Sequence, residues 1–276
     1  MGSCDDIIFS GHSQVGLVNG KMSDHSRASS KMTISVAKCE LQDIESLRRS
    51  FLNELNAQFI HDKCHLYGWS DDYLFTVDGV VAGYGCVWGI EQRSDRDTIF
   101  EFYVLPQYRR YETTLMRRLI AITGVTTLEC QTNDPNTSRL FFENASHISA
   151  QSILFSNLQP THWPSEGVRF LEVSDGSEQE RERRFELRGG DEVLATGGLM
   201  LNYNPPFADI YMDVVPKHRG AGYGTLIVQE LKRVAQEIGR VPAARCRVTN
   251  AISKATLIRA GFRPCGYWLV GTVING

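Results

Sequence analysis

The stretch Phe102-Tyr-Val-Leu-Pro-Gln-Tyr-Arg109 returns 110 residues later as Met212-Asp-Val-Val-Pro-Lys-His-Arg219. Upstream, Asp78-Gly-Val-Val-Ala-Gly83 pairs with Asp191-Glu-Val-Leu-Ala-Thr196 at an offset of 113, and downstream the Thr-Asn pair of Cys130-Gln-Thr-Asn133 matches that of Cys246-Arg-Val-Thr-Asn250 at 117. Three matches in one order with slowly growing offsets mark a duplicated unit. That duplication restricts the 276 residues to two copies of one fold. The expected division is a disordered leader over 1–31, rich in Ser, Gly, His and Asn, then units over 32–160 and 161–276.

Each unit reads as mixed α and β. In the first, Ile34–Ala37 opens a strand, and Gln42–Leu55 carries apolar residues at 44, 47, 51 and 55, a helical stripe. Tyr73–Val77 and Val80–Trp88 flank Asp78-Gly79, a hairpin signal. Ile99–Leu105 predicts a strand and Glu112–Ile122 an amphipathic helix. The second unit repeats the pattern, with a strand at Val168–Val173, a hairpin about Gly189-Gly190, a strand at Ile210–Val215 and a helix from Gly224. That helix places Leu226, Ile227, Leu231, Val234 and Ile238 on one face, with Gly239 at its end. Between its first strand and its hairpin the second unit has only the polar Ser174–Glu182, so it lacks the helical segment of the first. The fold class is α/β (α+β), each unit a twisted mixed sheet flanked by helices.

Composition excludes several function classes. A net charge of -3 gives no general attraction to nucleic acid, and no apolar run reaches the ~18 residues of a membrane span. Seven cysteines without a CxxC pair suit a reduced, cytoplasmic setting. His61, Cys64 and His65 carry the side chains of metal ligands but read as a loop without metal, because no second ligand cluster accompanies them. The four tryptophans, Trp69, Trp88, Trp163 and Trp268, read as core or interface residues.

Chemistry concentrates in Arg219-Gly-Ala-Gly222-Tyr-Gly224, between a strand and an amphipathic helix. Glycines let the backbone approach a ligand and aim free N–H groups at it. The helix N-terminus and Arg219 add positive charge, so the loop is an anion site suited to phosphate. It has no Lys-Ser/Thr pair after the glycines and no Gly-x-Gly-x-x-Gly, which sets nucleoside triphosphates and dinucleotides behind.

With its strand, its helix, the later Asn250 and the closing Arg259-Ala-Gly-Phe262, this loop resembles the phosphate loop of the GNAT superfamily of N-acetyltransferases, whose signature Arg/Gln-x-x-Gly-x-Gly/Ala it matches in full. The resemblance is strongest over 166–276 and extends to 32–150 through the repeat. It implies that acetyl-CoA lies where two parallel strands splay apart. Val214 and Val215 would pair with the pantetheine arm, Arg219, Gly220, Ala221, Gly222, Tyr223 and Gly224 would hold the pyrophosphate, and Asn250 would orient the pantetheine. No metal is implied. The acceptor is expected to be a small-molecule amine, and the protein a monomer or homodimer. The tyrosine that often protonates the leaving thiolate is replaced by Leu257, and the common glutamate base by Ala208. Asp213, Asp209 and Tyr211 are the nearby substitutes, with Asp213 favoured as base. An acyl-CoA-binding regulator without catalysis is the alternative. In the first unit Gly220, Gly222 and Gly224 correspond to Arg110, Glu112 and Thr114, so that unit is read as a copy without a cofactor site whose helix 42–55 completes the acceptor pocket of the second.

Overall fold

The computed structural model describes residues 32–55, 57–158, 167–173 and 180–274. The predicted leader, Trp163, the 160/161 unit boundary and most of the polar Ser174–Glu182 stretch lie outside those residues.

Among the described residues, twelve strands form one mixed sheet. The N-terminal half contributes β1 (Ile34–Cys39), α1 (Leu41–Leu55), α2 (Asp62–Leu66), β2 (Asp71–Val77), β3 (Val80–Trp88), β4 (Thr98–Val104), α3 (Glu112–Thr123), β5 (Thr127–Gln131), α4 (Pro135–Asn144) and β6 (Ala145–Asn157). The C-terminal half contributes β7 (Val168–Glu172), β8 (Glu182–Gly189), β9 (Glu192–Met200), β10 (Phe207–Val214), α5 (Tyr223–Glu237), β11 (Val241–Arg247), α6 (Ala251–Arg259) and β12 (Phe262–Val273). The predicted strands and amphipathic helices are present. Asp78 and Gly79 form the hairpin turn with φ of 51° and 77°, the left-handed pair that a two-residue hairpin loop requires. On α5, Leu226, Ile227, Leu231 and Val234 are buried, whereas Ile238 lies past the last turn and is exposed.

Strand order is β1-β2-β3-β4-β5-β12-β6-β11-β10-β9-β8-β7. The last strand of each half therefore belongs to the other half's sheet. β12 pairs antiparallel with β5 through Trp268–Thr272, β6 pairs with β11 through Ser152–Ser156, and the two exchanged strands pair with each other. Thr33–Gly276 is accordingly one compact unit. The repeat does not reveal this exchange, because either β6 or β12 could satisfy the edge of β5.

The two halves differ in how many faces they bury. In the N-terminal half, α3 and α4 cover one face over a core that includes Phe75, Phe102 and Leu115, while α1 and α2 cover the other over Ile44, Phe51, Tyr84 and Phe100. The C-terminal half has one core, between the sheet and α5 and α6, built on Phe185, Leu199, Leu231 and Phe262. Its other face carries Arg184, Thr196, Tyr211 and Asp213, all exposed. Strand alternation puts those residues opposite the core face, and their polarity is what a sheet face that no described helix covers needs. The helical segment missing from the sequence is thus matched by a polar face.

Candidate functional site

β10 and β11 run parallel but pair only from Phe207–Asp209 to Val241–Ala243. Beyond that point β10 follows β9 and β11 follows β6, which opens a wedge in the sheet. A cavity of about 250 Å³ occupies the wedge, lined by Tyr203, Asp209, Tyr211, Met212, Arg245 and Leu257 among others. It shares Met212 and Ser253 with a larger cleft of about 830 Å³ that runs over the Arg219–Gly224 loop and α6.

The loop takes its shape from glycine. Gly220 and Gly222 have φ of 87° and 89°, a region that side chains with a Cβ avoid. Gly222 is the N-cap of α5 and its carbonyl accepts the amides of Thr225 and Leu226 at 2.9 and 3.1 Å. At Gly224 a Cβ would come within 3.2 Å of Thr256 and 3.4 Å of Val214, so glycine lets α5 pack close to α6 and β10. The first amides of α5 lack partners within the helix and face the cleft with the positive end of the helix dipole. Val214, Asn250 and every residue of Arg219–Gly224 line the cleft. Asn250 also caps α6, accepting the Ser253 amide at 2.9 Å. Val215 does not line it. Its amide goes to the Leu194 carbonyl at 3.1 Å and its carbonyl accepts the His218 amide at 2.8 Å, so of the two valines it is Val214 that meets the cleft, with Met212 and Asp213 of the same strand. A loop of open amides beside a gap in the sheet fits an elongated ligand with a diphosphate, and so fits CoA.

In the N-terminal half the corresponding place is filled. The 3-10 turn Pro106–Tyr111 runs straight into α3, and Glu112 at its start is buried, bonded to Arg139 and 3.7 Å from Arg109. Arg109 also binds Glu54. A carboxylate of the protein itself thus holds the anion position at a helix N-terminus, and the cavity left is about 120 Å³. The helix cap that matches Asn250 is Asp134, whose side chain accepts the amides of Asn136 and Thr137, one residue on from the Asn133 that sequence matching selects.

The three candidate proton-transfer residues have different surroundings. Asp209 is buried, with one oxygen taking a hydrogen bond from Gln58 and the other bonds from Tyr203 at 3.0 Å and Arg245 at 2.7 Å. Burial and the nearby Asp209 charge push the Tyr203 hydroxyl up to about 12. Tyr211 shares that face of β10 and donates to Glu182, and partial burial together with that bond raises its hydroxyl well above the ordinary tyrosine range. Asp213 is largely exposed at the cleft, 3.5 Å from Arg219. Gln58, Tyr203 and Arg245 escaped the sequence reading. A single arginine inside the apolar run Val241–Cys246 was the available signal for one of them.

Contacts from the N-terminal half reach this end of the site. The Phe59 amide donates to Asn204 at 3.0 Å, the Asn204 amide to Asp62 at 3.0 Å, and Asn202 to the Tyr67 hydroxyl at 2.7 Å. The contacting segment is therefore the α1–α2 connection and α2, rather than helix 42–55 itself. His61 lies 3.0 Å from Glu129 in a box of Phe59, Trp88, Phe100 and Trp268. His61, Cys64 and His65 do not converge. Among the described residues His65 instead meets Cys86 and Glu101. Burial raises the Glu101 carboxyl, but the charges of Arg48 and His65 outweigh it and hold the group well below the usual range. The Arg48 guanidinium, 2.8 Å from Glu101, opposes a second cation there.

Comparison with known proteins agrees with this geometry. A family model described as "Acetyltransferase (GNAT) domain" matches residues 40–158, and one described as "Acetyltransferase (GNAT) family" matches 152–262. No curated protein matches the sequence. Among solved structures, a GNAT-family acetyltransferase from Colwellia psychrerythraea superposes with a TM-score of 0.69 at 14% identity, covering 87% of this chain and 100% of its own. A GCN5-related N-acetyltransferase from Sphaerobacter thermophilus gives 0.59 at 13% identity, with coverage of 87% and 95%. A tandem GNAT protein from the clavulanic acid biosynthesis pathway gives 0.57 at 14% identity, with coverage of 87% and 98%. With one such domain in each half, the chain belongs to the GNAT acetyltransferase family as a tandem member.

Proposed function

We propose that the C-terminal half binds acetyl-CoA and transfers its acetyl group directly to the amine of a small-molecule acceptor. The observation that carries this reading is the cleft joining an open-amide loop, Arg219–Gly224, to a wedge in the sheet. When bound, acetyl-CoA supplies an activated acetyl group as a thioester. Residues Gly220–Gly224 would hold the diphosphate through backbone N–H groups, with Arg219 adding charge. Val214 would align the pantetheine arm along β10, and a backbone N–H near it would stabilise negative charge on the thioester oxygen.

The amine must arrive neutral to attack, and most of the acceleration would come from orientation. Asp213, at the junction of cleft and β10, is our choice to take the proton, directly or through water. Asp209 has all its partners within the protein and is better suited to fixing Tyr203 and Arg245 at the floor of the wedge. Tyr211 would present a neutral hydroxyl on the acceptor side. The six described cysteines, none in a disulfide, suit a reducing compartment such as the cytoplasm.

Ala208 and Leu257, where relatives often place a glutamate and a tyrosine, favour a second reading in which the protein binds acyl-CoA without turnover. Calorimetric titration with acetyl-CoA tests the first step. One site per chain, lost in Gly222→Glu, supports the cofactor assignment, and a screen for CoA release with primary amines then separates enzyme from sensor. No binding would reject both.

A further inference from the structure

One carboxylate and three basic side chains line the large cleft: Asp213, His218, Arg219 and Arg259. Two of the three basic ones are committed within the protein. Arg219 donates to the Val214 carbonyl at 3.1 Å and lies 3.5 Å from Asp213, and His218 is 3.3 Å from Glu192. The Arg259 side chain has no hydrogen bond or ion pair to any described residue. It sits in the last turn of α6, on the face that brings Ile252, Ser253 and Thr256 to the cleft at helical spacing. The cleft thus has two separate places that attract anions, the loop amides and the Arg259 guanidinium. A ligand with one phosphate cluster would use only the first. Coenzyme A carries two, a diphosphate and a 3′-phosphate on the ribose, the latter close to doubly charged at neutral pH. A planar guanidinium can meet such a group through two parallel N–H···O bonds.

We propose that Arg259 binds the 3′-phosphate of coenzyme A, so that the site selects free CoA thioesters over donors without that group, such as phosphopantetheine attached to a carrier protein. This rests on the reading of the cleft as an acyl-CoA site. Arg259 also has an ordinary structural role open to it, a cation near the C-terminus of a helix, which would affect every donor alike. The ratio of two affinities separates the roles.

The experiment is calorimetric titration of the full chain with acetyl-CoA and with acetyl-3′-dephospho-CoA at one fixed salt concentration. The proteins are wild type, Arg259→Gln, Arg259→Lys and Arg219→Gln, each checked for folding by thermal melt. Wild type should prefer acetyl-CoA by roughly 5- to 10-fold, the scale of a charge-assisted contact at a solvent-exposed site. Arg259→Gln should bring the ratio close to one by weakening acetyl-CoA binding alone, and Arg259→Lys should fall between. Arg219→Gln should weaken both donors equally, since both contain the diphosphate. A wild-type ratio of one, or a preference that survives Arg259→Gln, would overturn the assignment while leaving the acetyl-CoA site standing. Failure of wild type to bind acetyl-CoA at all would remove the acetyltransferase reading, and this proposal with it.

Discussion

Glu112 and Gly222 hold corresponding places in the two halves, one filling the N-terminus of α3 with a buried carboxylate and the other leaving the N-terminus of α5 open. The same fold position is thus an internal ion pair in one copy and a glycine without a side-chain cap in the other. Calorimetry should therefore count a single acetyl-CoA site. Gly222→Glu should lower the affinity more than ~100-fold, combining like-charge repulsion with a left-handed φ that costs a side chain about 1–3 kcal/mol. Glu112→Gly should leave the count at one, because the cavity there is only about 120 Å³ and Arg110 and Thr114 still place side chains where the other half has Gly220 and Gly224. A second site in wild type would contradict the assignment of the N-terminal half.

Asp209 is the junction of the two halves at the floor of the wedge. Asp209→Leu leaves Arg245 in place without its carboxylate and strands the donors of Gln58 and Tyr203. Removing one partner of a buried ion pair costs about 3–5 kcal/mol, and urea unfolding should show a loss on that scale. Gln58→Ala, which removes one hydrogen bond, should cost about 1 kcal/mol. Equal small effects for both would mean that the network holds little of the interface.

Strand exchange makes the halves interdependent. Residues 167–276 alone would leave β11 without β6 and β12 without either neighbour, exposing long unpaired edges. That fragment should be insoluble or unfolded by circular dichroism. Co-expression with 32–166 should restore one folded complex that copurifies. A cooperative melt and acetyl-CoA binding from the isolated C-terminal fragment would show that the exchange is dispensable.

Much of this was legible in the sequence, for identifiable reasons. Local signals such as Asp78-Gly79, the stripe on α5 and the glycines at 220, 222 and 224 are written in consecutive residues, so periodicity and turn chemistry expose them. The Glu112 substitution was equally visible once the repeat was aligned. The exchange of β6 and β12 was not, since it depends on which of two similar strands satisfies a distant edge. Nor was the Gln58–Asp209–Arg245 network, whose members lie 36 and 151 residues from Asp209 and share no motif. Val215 stands outside the cleft lining, its backbone groups bonded to Leu194 and His218, a matter of register beyond the reach of composition.

Lys232 offers a test of the core independent of any ligand. The side chain is buried on α5, donates to the Ala260 carbonyl at 2.7 Å and lies 5.1 Å from the centre of the Phe262 ring. Burial lowers its ammonium from 10.5 to about 8. Between those two values the unfolded chain holds a proton that the folded chain has released, so this group makes stability rise with pH across that window and contributes no slope below it. A neutral amine still has an N–H for Ala260, so the hydrogen bond survives the titration. Urea unfolding of wild type and Lys232→Met at pH 7.5, 9 and 10.5 isolates the effect from other titrating groups. The stability of wild type relative to the variant should increase by about 2–3 kcal/mol over that range. A difference that stays flat would mean that the ammonium remains charged in the folded protein, with water reaching it between α5 and α6.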